Sequence, residues 1–451
     1  MRGSVPGRAS GALAPTVAGW TWHGVTVNAT RAGTSSRIVV IGGGVIGLCS
    51  AIALRQRGAE VTLYDGRTDP PGASAWNCGW VAPSHCHPLP GPESLRRSLR
   101  WLLSRDAPLS IAPDPRLARW LLRFAWASRH GPHARGLGAL AELLREAMPA
   151  WRRFEEAGLV IPWATESPMA VFLERRVMDA TVRHLDEVAA LGLVEPRILD
   201  REAALERVPT LSDRVVGAIE QLGERSLDPP ALLEALRTRL VAAGGEVREE
   251  RVTGIERAGG RVRAGHRVSA VRTASGSVEC ERLVLAAGAW SPGLARGLGL
   301  RLPVISGRGY VVDMPASASH PPRLLQLMEA SMVAGPLPGR LRLCGTMELA
   351  GPGAGLDQAR VRLLSVAPGR YLDGWDPSVP PLRVIATPRP MSPDGLPIIG
   401  PVPRTPRVIV ATGHGMLGVT AGAATGELFA EIALGDATRV PAAFAPTRFR
   451  W

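Results

Sequence analysis

Four consecutive β-branched residues, Ile38 to Ile41, open the first strongly patterned segment of the chain, and their bounded apolar run predicts a buried strand. Three glycines follow, then a helical pattern over Val45–Gln56 and a second strand over Glu60–Asp65, which together predict a βαβ start. Beyond it the period changes. Helical spacing recurs in Leu95–Leu103, Arg116–Ala127 and Leu137–Ala157, separated by proline-rich breaks. A further helix is predicted after Asp228-Pro229-Pro230, where an aspartate stands at the N-cap and proline in the first turn. Strand-like runs then follow at Glu246–Ile255, Leu283–Ala287, Gly309–Met314, Arg340–Thr346 and Arg407–Ala411, and a last helix is predicted over Val419–Leu434. Strands and helices alternate at both ends of the chain with different territory between. The pattern predicts an α/β fold whose chain crosses between two domains more than once. Residues 1–36, rich in Gly, Ala, Ser and Thr without a sustained apolar run, read as a disordered extension rather than a secretory signal.

Composition narrows the chemistry. With 45% hydrophobic and 21% charged residues the 451-residue chain can bury a real core. Its 53 basic side chains against 40 acidic ones give a net charge of +13, and all 53 are arginine, since the sequence contains no lysine. Schiff-base pyridoxal chemistry, the usual P-loop NTPase, the protein kinases and Ser-x-x-Lys hydrolases each need a lysine amine and are excluded. The arginines are spread along the whole chain instead of forming one basic face, so the sequence does not point to a nucleic-acid partner. Five scattered cysteines without a CxxC spacing predict a reducing compartment, the cytoplasm. Cys78, His85, Cys86 and His87 lie close in sequence but lack paired metal-ligand spacing, and no metal is expected. The uncharged run Ile38–Leu54 is near membrane-spanning length, yet its glycines split it into strand, turn and helix.

The turn itself carries a motif. Gly42, Gly44 and Gly47 form GxGxxG between strand and helix: the first glycine permits the tight turn, the second lets a pyrophosphate approach the backbone, and the third lets helix pack on strand. Phosphate charge would sit at the helix N-terminus, on the amides around Val45 and Ile46. Asp65 lies 23 residues after Gly42 at the end of the second strand, where a carboxylate accepts ribose hydroxyls. Together these predict a dinucleotide site.

Further segments carry a family resemblance. Leu283-Val284-Leu285-Ala286-Ala287-Gly288-Ala289-Trp290-Ser291 resembles the second nucleotide-covering strand and turn of FAD-dependent amine oxidoreductases. The run from Arg389 to Gly400, with Gly413-His414-Gly415-Met416-Leu417-Gly418, is similar to the C-terminal signature of D-amino acid dehydrogenases, with glycine oxidase and D-amino acid oxidase as broader relatives. Ser74-Ala75-Trp76-Asn77-Cys78-Gly79 and Gly307-Arg308-Gly309-Tyr310 extend the likeness, which runs from Arg37 to Leu434. It implies a Rossmann-like FAD-binding domain (residues 37–92, 206–300 and 381–440), a second α+β substrate domain of mixed sheet and helices (93–205 and 301–380) and a tail (441–451). FAD is the implied cofactor. Its binding set by resemblance adds Ser74, Asn77, Gly79, Val252, Ala287, Gly288, Gly415, Met416, Leu417 and Gly418 to the glycine loop and Asp65.

The implied reaction is oxidation of the Cα–N bond of an amino acid, of the D form by resemblance, with hydride transfer to flavin N5 and hydrolysis of the resulting imine to an oxo acid and ammonia. Arg389 is similar in position to the family's carboxylate anchor, and a guanidinium offers a carboxylate a bidentate fork. Tyr310 resembles an aromatic hydroxyl that helps hold substrate, with a strand tyrosine packed in the core as the equal alternative, and His414 stands where it would contact flavin or substrate or serve as a structural histidine. Ile385 and Thr387 replace a tryptophan and a glycine usual before this arginine, and Met416 replaces a second arginine of the glycine oxidase type. Some related oxidases place a lysine near the flavin for oxygen chemistry. Its absence favours a dehydrogenase. The arginine- and tryptophan-bearing stretch from Glu93 to His130 has two readings: helices that enter the second domain's core, which is favoured because such patterns are common in soluble helices, or a surface that rests on anionic lipid at the inner face of the membrane, which would suit a membrane quinone as acceptor. The alternatives are an oxidase or tailoring enzyme acting on another amine, and a catalytically inactive flavin-fold binding subunit.

Overall fold

The computed structural model describes residues 37–66, 72–92, 109–111, 117–257, 268–349, 355–402, 405–435 and 441–449. The extension read over residues 1–36 and the helix read over Leu95–Leu103 lie outside them. Two large sheets carry the described residues. The first has six strands in the order Ile398–Val402, Thr405–Thr412, Arg282–Leu285, Arg37–Ile41, Glu60–Tyr64 and Glu246–Arg248, and every neighbouring pair is parallel except the first. Its central strand, Arg37–Ile41, is buried at all four residues after the arginine, as the β-branched run requires of a sheet covered on both faces. The helices Val45–Gln56 and Gly422–Leu434 pack together over it, in one core with the Pro229–Ala242 helix.

The second sheet is mixed. Its path runs Arg383–Met391, Ile305–Pro315, Arg340–Leu349, Met332–Leu337, Leu325–Leu327, Met169–Phe172, Gly217–Leu222 and Glu195–Leu199, with Leu109–Ile111 added beside Arg340–Leu349. Successive side chains of a strand point to opposite faces, and the long strand Ile305–Pro315 uses this fully. Tyr310, Val312 and Met314 enter an apolar core under the Gln358–Val366 helix, whereas Gly307, Gly309, Val311 and Asp313 look toward the other side.

Three elements differ from the sequence reading. The helix expected over Leu137–Ala157 is two helices, His130–Arg145 and Ala147–Glu156. Pro149 explains the break, because its ring collides with the carbonyl four residues back, that of Arg145, and it has no N–H to donate there. The strand-like run Glu246–Ile255 is likewise two strands, Glu246–Arg248 in the parallel sheet and Gly254–Arg257 in a separate three-stranded sheet. The last helix begins at Gly422 instead of Val419.

Candidate active site

The glycine loop is tight for steric reasons. Gly42 has φ +115°, and a Cβ there would lie 2.5 Å from the carbonyl oxygen of Ala286; a Cβ on Gly47 would overlap the carbonyl oxygen of Gly42. The loop, the Arg282–Leu285 strand and the following helix are therefore packed backbone to backbone, which leaves a shallow bare cradle at the helix N-terminus. Val45 N–H donates to Ser74 Oγ at 3.1 Å, and a Cβ on Gly44 would come 2.9 Å from the same oxygen. Ser74 thus ties the 74–79 loop to the start of the helix. Asn77 holds that loop from within: its Nδ2 donates to the carbonyls of Ala73 and Ser74 at 3.0 and 2.9 Å, and its Oδ1 accepts from Gly79 N–H at 2.7 Å.

Asp65 closes the far end of the cradle, its carboxylate packed against Gly43. It is not free of partners, because Arg237 on the Pro229–Ala242 helix donates from Nη2 to Asp65 Oδ2. Oδ1 has no partner among the described residues. Sequence reasoning missed Arg237, which lies 172 residues away and belongs to no motif. Val252 is buried beside Tyr64 in the core under the same end of the sheet. Ala287 and Gly288 border the loop on its other side, where Thr412 Oγ1 donates to the Gly288 carbonyl at 2.9 Å.

These residues fit a dinucleotide. A glycine turn whose Gly42 and Gly47 admit no Cβ, a helix N-terminus beside it whose first N–H is held by Ser74 and an acidic residue at the strand end supply what a pyrophosphate and a ribose need.

The second sheet supplies the other half. Arg389 is partly exposed on the Arg383–Met391 strand, and its guanidinium lies against bare Gly309, where a Cβ would come within 2.5 Å of Cζ. Among the described residues it has no ion-pair partner, and burial of its head group lowers its affinity for the proton, although the thiols of Cys344 and Cys78 act the other way. The strand end docks on the signature turn: Met391 forms a bridge with His414, and Gly415 N–H donates to the Pro390 carbonyl at 2.9 Å. Trp120, on the Ala118–Ala127 helix, donates from Nε1 to the Met391 carbonyl at 3.2 Å. Arg389 and the Gly413–Gly418 turn are therefore brought together.

Tyr310 and His414 are not brought to that arginine in the way expected. Tyr310 is fully buried on the opposite face of the sheet, where its hydroxyl donates to Glu348 Oε2 at 3.0 Å and accepts from Asp357 N–H at 3.1 Å. Arg308 shares that glutamate at 3.0 Å. The reason is parity, since Gly309 faces Arg389 and its neighbour must face away. The His414 ring is buried with Nε2 at 3.2 Å from Thr425 Oγ1 in the Gly422–Leu434 helix, and burial pushes its pKa down to about 3. Met416, by contrast, is 56% exposed.

The Cys78, His85, Cys86 and His87 group separates in space. Cys78 packs with Cys344 of the second sheet, Cys86 enters the core of the first, His85 lies edge-on to Trp80, and the His87 ring is tilted against those of His133 and His184. Thr346 was invisible in the sequence. It occupies a bulge opposite Gly309 and Tyr310, has φ +50°, and buries a hydroxyl that has no partner among the described residues.

Known proteins resemble the chain over nearly all of the described residues. Residues 37–432 match the family described as DAO: FAD dependent oxidoreductase. The chain is 32% identical over 422 residues to the D-amino acid dehydrogenase of Cereibacter sphaeroides strain ATCC 17029, covering 90% of this chain and 94% of the relative. It is 30% identical over 428 residues to the D-amino-acid oxidase of Bradyrhizobium diazoefficiens, covering 91% and 98%. Among solved structures, the glycine oxidase of Geobacillus kaustophilus superposes with a TM-score of 0.68 at 22% identity, covering 92% of this chain and 99% of that one.

Proposed function

Because the chain belongs to the DAO family of FAD-dependent oxidoreductases, we propose that it oxidises the Cα–N bond of a D-amino acid, giving an imine that water converts to an oxo acid and ammonia. The observation that carries this reading is Arg389: a partly enclosed guanidinium without an ion-pair partner among the described residues, laid over Gly309 beside the Gly413–Gly418 turn. Its planar fork matches a carboxylate. When bound, the flavin supplies the two-electron acceptor for the Cα hydride. Gly42, Gly44 and Gly47 would hold its pyrophosphate and Asp65 its ribose, with the Ser74–Gly79 loop and the Gly413–Gly418 turn supplying the remaining contacts.

Arg389 fixes the substrate by its carboxylate, so that only rotation about one axis remains for Cα to be aligned. His414 is held neutral across the physiological range and serves as a strut between turn and helix. The amides of Gly415 and Leu417 are spent on the carbonyls of Pro390 and His414, which fixes the shape of the turn around the cofactor.

A membrane quinone is the proposed electron acceptor. The Ala118–Ala127 helix supports it: Trp120 and Phe124 are buried, while Leu122 (72% exposed) and Trp126 (55%) stand outward with Arg119 and Arg123. No helix among the described residues is long and apolar enough to cross a membrane, so contact would be made from the surface.

Anaerobic mixing of the flavin-loaded protein with D-amino acids, their L enantiomers and simple amines tests the reaction. Bleaching by D-amino acids alone is expected; bleaching only by amines without a carboxylate would refute the anchor. Reoxidation by air faster than by a quinone analogue would refute the acceptor.

A further inference from the structure

Arg342, Asp313 and Arg383 are direct cross-strand neighbours on three adjacent strands of the second sheet. Arg342 is 1% exposed and 4% of Asp313 is exposed, so neither is a surface ion pair. Arg342 Nε and Nη2 donate to the two carboxylate oxygens at 2.7 and 2.9 Å. Its Nη1 donates to the carbonyls of Ala75 and Asn77 at 3.0 and 3.2 Å. Trp76, between those two residues, has the guanidinium carbons of Arg342 and Arg383 over its ring at 4.6 and 4.7 Å. A single loop of the dinucleotide site is thus gripped by a row of three charged residues belonging to the substrate sheet.

We propose that the Arg342–Asp313–Arg383 row, with Trp76 seated on it, positions the flavin loop relative to the substrate anchor. Arg383 and Arg389 belong to one strand, six residues apart, and its pairing with Ile305–Pro315 is unbroken from Met391 to Arg383. By the two-residue repeat both side chains leave the same face. One rigid strand of about 20 Å, at about 3.3 Å per residue, therefore holds the carboxylate anchor at one end and grips Trp76 at the other. The loop it grips contains Ser74, which holds the start of the glycine-loop helix at Val45 N–H. Substrate and cofactor halves are registered through this contact, and small misplacements of reacting atoms cost large factors in rate. Arg342 uses four of its five N–H groups in a planar pattern that a lysine cannot reproduce.

The inference rests on the assignment of the Ser74–Gly79 loop to the flavin and of Arg389 to the substrate. Its test uses the full chain with Arg342→Lys, Trp76→Phe and Trp76→Leu. FAD dissociation constants come from titration of the apoprotein; the rate of anaerobic bleaching and its half-saturating substrate concentration come from the loaded enzyme. Trp76→Leu and Arg342→Lys are expected to weaken FAD about tenfold and slow bleaching at saturation, with half-saturation unchanged. Trp76→Phe, which keeps a ring for the two cations, should stay within about threefold of the parent.

Lower thermal midpoints with unaltered FAD affinity and bleaching rate would overturn the proposal, as would a Phe variant as impaired as the Leu variant. If Arg342→Lys does not fold, the Trp76 pair decides alone. FAD titration is independent of which substrate bleaches the flavin, so failure of the substrate reading leaves this test intact.

Discussion

Gly309 lies directly beneath the guanidinium of Arg389, and the space a Cβ would occupy is already filled by Cζ, Nε and Nη2 at 2.5 to 2.6 Å. Glycine here is a requirement of the arginine, not of the backbone, because a methyl group on this strand would push the side chain off its seat. Gly309→Ala should therefore raise KM for the amino acid about tenfold with FAD binding unchanged, the size expected when a bidentate contact is displaced but not deleted. Steady-state kinetics with flavin content measured in parallel checks it. An unaltered KM would mean that Arg389 does not hold the carboxylate where it now rests.

Arg389→Leu goes further, deleting the fork while keeping a side chain of moderate bulk. Loss of a charge-assisted contact of this kind costs roughly 2–4 kcal/mol in kcat/KM, and the loss should appear mainly in KM. Simple amines lacking a carboxylate should be oxidised no worse by the variant than by the parent. Equal losses for both substrate types would move the anchor elsewhere.

In Gly44→Val the first added carbon would stand 2.9 Å from Ser74 Oγ, and the two further methyl groups would reach into the cradle beside the Val45 amide. FAD binding should be abolished while the fold is kept, since at the helix start only the Ser74 hydroxyl has to give way. Flavin absorbance of the purified variant with its circular dichroism reports both, and full flavin retention would refute the assigned loop.

What could be read in the sequence divides along physical lines. The Gly42–Gly47 loop and its flanking strand and helix were legible because local pattern alone specifies them: a β-branched run, three small residues and a helical period lie within twenty residues. Arg389 was legible only through likeness to a family, since one arginine among 53 carries no local signal. Tyr310 shows where such likeness stops, because a motif records residue order whereas strand parity, which sends its hydroxyl to Glu348, depends on which neighbour faces the site. Arg237, Arg342 and Thr346 are defined by partners or backbone angles created only by folding, and no window of sequence contains them. Pro149 was the opposite case: its break in the Leu137–Ala157 pattern was present in the letters and outweighed by the apolar period.

Thr346 has φ +50° with a β-branched side chain, a combination that costs about 1–3 kcal/mol and persists where surrounding structure imposes it. Its buried hydroxyl lacks a partner among the described residues. Thr346→Gly should raise the thermal midpoint by relieving strain and removing the orphaned hydroxyl, at the expense of substrate turnover if the bulge shapes the pocket around Arg389. Thermal unfolding and kcat/KM measured together separate the two effects. A variant less stable than the parent would show that Thr346 packs better than its backbone angle suggests.

Glu224 gives the molecule a pH-dependent stability that the catalytic reading does not need. The carboxylate is 1% exposed; Oε2 accepts from Trp80 Nε1 at 2.7 Å and Oε1 from Ser84 N–H at 2.9 Å. Burial raises its pKa from an ordinary 4.5 to about 7, outweighing those hydrogen bonds, which favour the ionised form. The folded state therefore holds the proton more tightly than the unfolded chain. Below about pH 4.5 both states are protonated and the contribution to stability is complete; it falls as pH rises and levels off above about pH 7, with a total loss of about 3 kcal/mol. Glu224→Gln cannot ionise, so its unfolding free energy should lack that decline between pH 5 and 7. The amide also turns an N–H toward one of the two donors, which lowers stability at every pH without restoring a slope. The test is the difference in slope between parent and variant, measured by denaturant titration at several pH values, because buried neutral His85, His87 and His414 are common to both and push stability the opposite way over this window; equal slopes would show that Glu224 is ionised in the folded protein.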